Sequence, residues 1–346
     1  MKYNTLGRTG LLVSELCLGT MTFAKSGGVW RSIAGVEQQL ADRLLKQSFD
    51  SGINFVDTAD IYSEGESEKV LAQAIRNVGI ARKDIIIATK VFGRTGPGRN
   101  DVGASRGHIM NAVEASLERL QTDYIDLYQI HGSDSVTPIQ ETLRALDTLV
   151  SQGKVRYIGC SNWYAWEIMK ALGISHAEHL AKFDTLQAYY SIAGRDLERE
   201  IVPLLKDQGT GLLVWSPLAG GLLSGKYSRE HQKPEGSRRS EFDFPLVDKE
   251  RAWRILDVMR PIAQAHNIGV ATVALAWILA KPFVTSVIIG AKRTEQLLEN
   301  LSAVDLELTH DEMEQLDQVS QLPPEYPGWM VPFQNANRLA DMPLQI

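Results

Sequence analysis

Apolar residues along this chain fall into two rhythms: short unbroken runs, and the three-and-four spacing of amphipathic helices. Eight runs read as strands: Glu15–Leu18, Ile53–Val56, Ile85–Thr89, Ile125–Ile130, Val155–Cys160, Thr185–Ala188, Gly211–Trp215 and Ser286–Ile289. Helical spacing fills most of the intervals, predicting Gln39–Asp50, Ser67–Ile75, His108–Leu120, Pro138–Val150, Trp166–Leu172, Leu197–Lys206, Ala252–His266, Ala271–Ala280 and Glu295–Leu301. Gly52 closes the first of these, and Ser67 or Ser63 would cap the second. Ahead of them, Lys2–Leu6 and Leu11–Ser14 flank Gly7-Arg8-Thr9-Gly10, the turn chemistry of a hairpin.

Strands that are apolar throughout are buried on both faces, as in a parallel sheet covered by helices. Eight of them separated by helices in 346 residues predict an α/β chain folded as a (β/α)8 TIM barrel with an N-terminal hairpin. An open doubly wound sheet is the alternative, and the lack of a G-x-G-x-x-G turn after the first strand counts against it. With no linker and no short repeat, 1–346 reads as a single domain. The segment 323–346, with Pro323, Pro324, Tyr326, Pro327, Trp329, Pro332 and Phe333, is expected to be a non-helical tail packed along the barrel near the mouth of its site. Leu218–Asp248, rich in Gly, Pro, Ser and charge, reads as a long functional loop.

Composition then removes several classes of function. The net charge is −6 and no basic run stands out, so a nucleic-acid partner is not expected. The start of the chain lacks the apolar core of a signal peptide, and no apolar run has bilayer length, so a cytoplasmic protein without a membrane partner is expected. Cys17 and Cys160 lie in apolar runs and read as packing residues, with no metal site implied.

The candidate chemistry sits at the strand ends, where a parallel barrel keeps its site. Asp57 follows the second barrel strand, with Tyr62 in the loop beyond it; Lys90 ends the third and His131 the fourth. A free phenol titrates near pH 10, too high for an efficient acid, and an adjacent ammonium lowers that value. A carboxylate keeps the ammonium charged, and histidine donates a hydrogen bond to a carbonyl oxygen. Taken singly, each has a plain structural explanation: a snorkelling lysine, a core histidine, a rim aromatic, a capping aspartate. Four at consecutive strand ends point to carbonyl reduction.

The segments LCLGTMTF, FVDTADIYSEGESEKVL, IIIATKVF, DLYQIHGSD, IGCSNW, VWSPLAGGLLSGKY and IIGAKRTEQLLENL resemble motifs of the aldo-keto reductase family, in family order, over about Lys2 to Leu322. The last two are similar to the branch holding bacterial reductases and the potassium-channel β subunits. The resemblance implies an NADP(H)-dependent oxidoreductase acting on a small carbonyl or alcohol substrate, with Tyr62 as general acid/base assisted by Lys90 and Asp57, and His131 orienting the carbonyl. It implies cofactor contacts from Gly19, Thr20, Asp57, Ser161, Asn162 and Gln187, and from Trp215 as a stacking face. Ser216, Leu218, Gly220 and Lys226 would line the pyrophosphate, Gly290, Lys292, Gln296 and Asn300 the adenosine half, and Arg238, Lys292 and Arg293 the 2′-phosphate. Trp30, in an enlarged first loop (Ala24–Ala34, with Gly27-Gly28), would meet substrate beside Tyr62 and His131. Tyr164, Tyr189, Tyr190 and Trp329 are further candidates for the pocket wall. Ser63 stands where many members carry glycine, and this departure should alter the loop more than the chemistry. A regulatory or assembly subunit is the alternative function, and a lyase or isomerase using Lys90 as a Schiff-base nucleophile is a third. Both a monomer and a homo-oligomer are compatible with the sequence.

Overall fold

A computed structural model describes residues 1–25, 27, 30, 32–234 and 237–339. Among the described residues, ten strands order the chain. β1 (Tyr3–Thr5) and β2 (Leu12–Ser14) pair as an antiparallel hairpin. β3 (Leu16–Gly19), β4 (Phe55–Asp57), β5 (Ile86–Val91), β6 (Ile125–Ile130), β7 (Val155–Ser161), β8 (Phe183–Tyr189), β9 (Gly211–Trp215) and β10 (Ser286–Ile289) close a parallel barrel in chain order, β10 returning to β3. Every residue of β5 and β6 is buried, as expected of strands with side chains in the barrel and under the helices.

The helices, most of them around the outside of the barrel, are α1 (Gln38–Asp50), α2 (Glu66–Val78), α3 (Arg106–Leu120), α4 (Ile139–Ser151), α5 (Ala165–Glu178), α6 (Ile201–Gln208), α7 (Arg238–Glu241), α8 (Lys249–Ala265), α9 (Val270–Leu279), α10 (Thr294–Leu301), α11 (His310–Ser320) and the largely exposed α12 (Met330–Leu339). α9 is buried on nearly every face, which explains its unbroken apolar sequence. No single helix among the described residues is long and apolar enough to cross a membrane.

The hairpin plugs one end of the barrel. Leu6 and Val13 pack with Cys17, Phe55, Ile86, Ala88, Leu127 and Leu213 into a core separate from the one under the helices. The turn fits tightly: Gly7 has φ +61, and a Cβ there would lie 2.4 Å from the Asp184 carbonyl oxygen and 3.0 Å from the Gly211 nitrogen. With that end filled, the C-terminal strand ends are left for chemistry.

Local readings change in four places. The expected non-helical tail holds α12, because Pro327 precedes the helix and Pro332 falls in its first turn, where a missing N–H costs nothing. α11 was not among the predicted helices, although Thr309 and Glu312 form a capping box at its start. The long loop contains a 3-10 turn, Ala219–Ser224, and the single turn of α7. Neither Ser63 nor Ser67 caps α2; Gly65 stands at that position, and the Ser67 hydroxyl donates instead to the Thr20 carbonyl oxygen at 2.7 Å.

Gly7→Ala should lower the free energy of unfolding by about 1–3 kcal/mol from overpacking alone, read from the midpoint of chemical denaturation. An unchanged midpoint would show that the turn has room to move.

Candidate active site

Lys90, fully buried in β5, is the centre of the site. Its Nζ donates to Asp57 Oδ2 at 2.6 Å, to the Thr58 carbonyl oxygen at 2.8 Å, and to Tyr62 Oη at 3.4 Å. Asp57 is gripped from its other side, where Oδ1 accepts from Gln187 Nε2 at 2.8 Å and Gln129 Nε2 at 3.4 Å. Register explains the meeting, since Lys90 pairs with Gln129 and Asp57 with Ala88, so the polar side chains share the upper barrel. Burial works to lower the Lys90 pKa, but the Asp57 carboxylate and the Tyr62 phenol outweigh it and the value rises.

Tyr62 begins a 3-10 turn, Tyr62–Gly65, beyond β4. Ser63 (φ +48) and Glu64 (φ +59) are both left-handed there, a backbone that glycine adopts without strain. Ser63 departs in a position where its side chain is anchored, donating to the Phe23 carbonyl oxygen at 3.3 Å. The phenol itself reverses an expectation. Burial raises its pKa above 10.0, overcoming the downward pull of Lys90, while Asp57 adds to the rise. Tyr62 therefore holds its proton at neutral pH. His131 meets it edge-on, ring centroids 5.7 Å apart. Burial, reinforced by Lys90, lowers the His131 pKa to about 3, so its imidazole is neutral and offers one N–H.

A cleft of about 870 Å³ opens above this group and reaches α10. Trp30 stands edge-on to Tyr62 at 5.7 Å and forms one wall. Gly19, Ser161, Asn162, Gln187, Trp215, Ser216, Leu218, Gly220, Lys226, Arg238, Gly290, Lys292, Arg293, Gln296 and Asn300 all border the cleft, as the sequence leads one to expect. Thr20 does not: it is fully buried, and its hydroxyl donates to the Asp57 carbonyl oxygen at 3.1 Å, bracing the strand end. Gln187 faces the cleft but spends its amide on Asp57. Gly28 lies outside the described residues.

The further wall candidates fall elsewhere. Tyr164 starts α5 and is largely exposed, and Trp329 is exposed ahead of α12. Tyr190 is buried against Trp277, and Tyr189 packs on Trp215 at 5.3 Å. Phe242 and Phe244 take their place, the Phe244 ring lying nearly parallel to Trp215 at 5.7 Å. Sequence reading also passed over Gln129, whose signal was an amide inside an apolar strand, and Arg239. The latter is buried in the middle of the long loop, where it donates to the carbonyl oxygens of Ala219 (2.7 Å) and Pro245 (3.0 Å) and pairs with Asp243. Its strands of contact run past Gly220, whose Cβ would come within 2.2 Å of the Phe244 carbonyl oxygen.

The far part of the cleft is cationic. Burial lowers the Arg238 pKa, and Arg239 adds to the effect; burial and then Arg238 lower that of Lys292. Arg238 Nε is buried with no hydrogen-bond partner among the described residues. The Lys292 amide donates to Gln296 Oε1 at 3.0 Å, and Asn300 Nδ2 to the Gly290 carbonyl oxygen at 3.3 Å, so both side chains shape the entry to α10.

A sequence model of the Aldo/keto reductase family matches residues 15–321. A protein of Arabidopsis thaliana named probable voltage-gated potassium channel subunit beta is 38% identical over 340 residues, covering 94% of this chain and 99% of its own. An uncharacterized oxidoreductase, YrpG, of Bacillus subtilis (strain 168) is 36% identical, covering 92% and 96%. The versiconal hemiacetal acetate reductase of Aspergillus parasiticus is 34% identical, covering 92% and 96%.

Asp57→Ala should cost about 3–5 kcal/mol of stability, because it leaves the Lys90 ammonium buried and unpaired. Equilibrium denaturation reads the loss, and a cost below about 1 kcal/mol would mean the lysine is compensated elsewhere.

Proposed function

The chain belongs to the aldo/keto reductase family, and on that footing we propose that it reduces an aldehyde or ketone to the alcohol, reversibly, at Tyr62 with NADP(H). The observation that carries the reading is the Tyr62 hydroxyl resting on a fully buried, charge-paired Lys90 beside a neutral His131. A carbonyl oxygen set between the phenol and the imidazole would accept a hydrogen bond from each. Tyr62 gives up its proton as charge builds on that oxygen, and the Lys90 ammonium steadies the phenolate left behind. Asp57, held by two amides, keeps the ammonium charged and aimed. A nicotinamide dinucleotide, when bound, supplies the hydride.

Three features of the cleft fit such a group. Its volume is at the upper end of cofactor sites. Gly221 (φ +93) and Gly290 border it with nothing within 4 Å of a built Cβ, leaving open backbone for a ligand to approach. Arg238, whose Nε has no partner among the described residues, and Lys292, whose pKa it helps to lower, suit an anion, and the 2′-phosphate of NADP(H) would occupy that ground next to the start of α10. Trp215, Ser161 and Asn162 would hold the nicotinamide end. Trp30 meets Tyr62, and Met21, Ile61, Phe242 and Phe244 also line the cleft, which favours a carbonyl carried on an apolar or flat group.

A second reading has its own support, since relatives in Arabidopsis thaliana, Oryza sativa subsp. japonica and Schizosaccharomyces pombe are named as channel β subunits, probable or putative. A regulatory subunit would bind the dinucleotide and turn over slowly. Steady-state turnover on a carbonyl panel separates the two readings.

Tyr62→Phe should reduce kcat/KM by about 10²–10⁴-fold, while quenching of tryptophan fluorescence by NADPH persists. Equal activity in the variant would remove Tyr62 from its role. Lys292→Ala should weaken NADPH more than NADH, and equal weakening would refute the 2′-phosphate assignment. Because His131 takes up a proton only as pH falls toward about 3, kcat/KM should show no histidine-type loss between about pH 7 and 5. A midpoint near the ordinary histidine value would contradict its neutral, donor role.

A further inference from the structure

Asp60 lies two residues ahead of Tyr62 and takes no part in the chemistry above. It is 2% exposed, and neither carboxyl oxygen has a hydrogen-bond partner among the described residues. Its backbone amide donates to the Lys90 carbonyl oxygen at 3.2 Å, which fixes it against the strand carrying the lysine. On β6 the Tyr128 hydroxyl is fully buried and equally unpartnered, and Asp60 is the charge acting on it most strongly. Two lone polar groups therefore share the interior behind Lys90.

The charges facing Asp60 are already committed. Glu68 of α2 is fully buried, accepting from Thr89 Oγ1 and from Arg119 Nε of α3, each at 2.6 Å. Lys90 is committed to Asp57 at 2.6 Å. The Ile61 backbone amide is near enough to favour an anion weakly, without forming a bond to it. A carboxylate at this place would be an uncompensated buried charge, far more costly than the neutral acid.

We propose that Asp60 is a positioning residue that the fold carries as a neutral carboxylic acid, and that its ionisation, by adding a second anion behind Lys90, weakens proton delivery from Tyr62. The electrostatic direction agrees. Burial first and Glu68 second push the Asp60 pKa up to about 8, against the pull of Arg119, the Ile61 amide and Lys90. Below that value the acid is neutral and Asp57 alone faces the ammonium. Above it two carboxylates act on one lysine, and the phenol becomes a poorer acid. The kinetic half of this inference rests on the role given to Tyr62; the protonation state does not.

Infrared difference spectra of the full chain, wild type against Asp60→Asn, read the acid directly. The wild type should show the C=O stretch of a protonated carboxylic acid at about pH 6, fading with a midpoint near about 8 and absent from the variant. No such band at about pH 6 would overturn the proposal whether or not the protein reduces carbonyls. In the second arm, kcat/KM for NADPH-dependent carbonyl reduction should decline on the alkaline side at that midpoint in the wild type. The decline should move upward by at least about one pH unit in Asp60→Asn, and an unmoved midpoint overturns the positioning role. Should Asp60→Asn fail to fold, Tyr128→Phe gives the deciding measurement. Loss of the hydroxyl dipole should raise the midpoint of the acid band, and an unchanged midpoint overturns the shared setting.

Discussion

The ion pair between Lys90 and Asp57 is the constraint around which the upper barrel is arranged. An ammonium with no solvent contact is sustained only if its partner is equally well held. That requirement reaches outward through Gln187 and Gln129 on the far oxygen of Asp57, the Thr58 carbonyl on the ammonium, and Thr20 under the backbone of Asp57. Each comes from a different strand or strand end, so the charge network is complete only when the barrel is closed. The same burial that makes the pair costly keeps the phenol of Tyr62 protonated and the imidazole of His131 neutral. Reactivity and stability thus draw on one low-dielectric region.

Below that layer the barrel is closed by apolar side chains and the hairpin, so the polar network and the cleft lie together at the opposite end. Above it, the indole of Trp215 ends β9, and the loops add the indole of Trp30, several cations, and backbone without Cβ atoms.

Much of this was legible in the residue order. Short unbroken apolar runs between helical segments, such as Ile85–Thr89, read as strands buried on both faces, and eight of them point to a barrel. Polar residues directly after such runs, Asp57, Lys90 and His131, announce the site because a polar group following a buried strand needs partners of its own. What could not be read is direction and competition. Whether Thr20 faces a cleft or a neighbouring strand depends on a register that only three-dimensional closure sets. Lys90 does pull on the phenol as its proximity implies, but how far burial opposes it is invisible until the depth of Tyr62 is known. The prolines near α12 mislead because their cost depends on which turn of a helix they occupy. Aromatics count equally in sequence, yet Phe244 reaches the cleft while Tyr190 is walled in by Trp277.

Arg239 ties together two stretches of the long loop that are far apart along it, and a charged group making several bonds in the interior gives each a weight of about 1.5–3 kcal/mol. Gly220 lets the two backbones touch, leaving no slack between them. The backbone beside Ser216 and the aromatic cover over Trp215 are consequently joined through one buried side chain. A wider space above the indole would require the bonds of Arg239 to break or the two stretches to shift together.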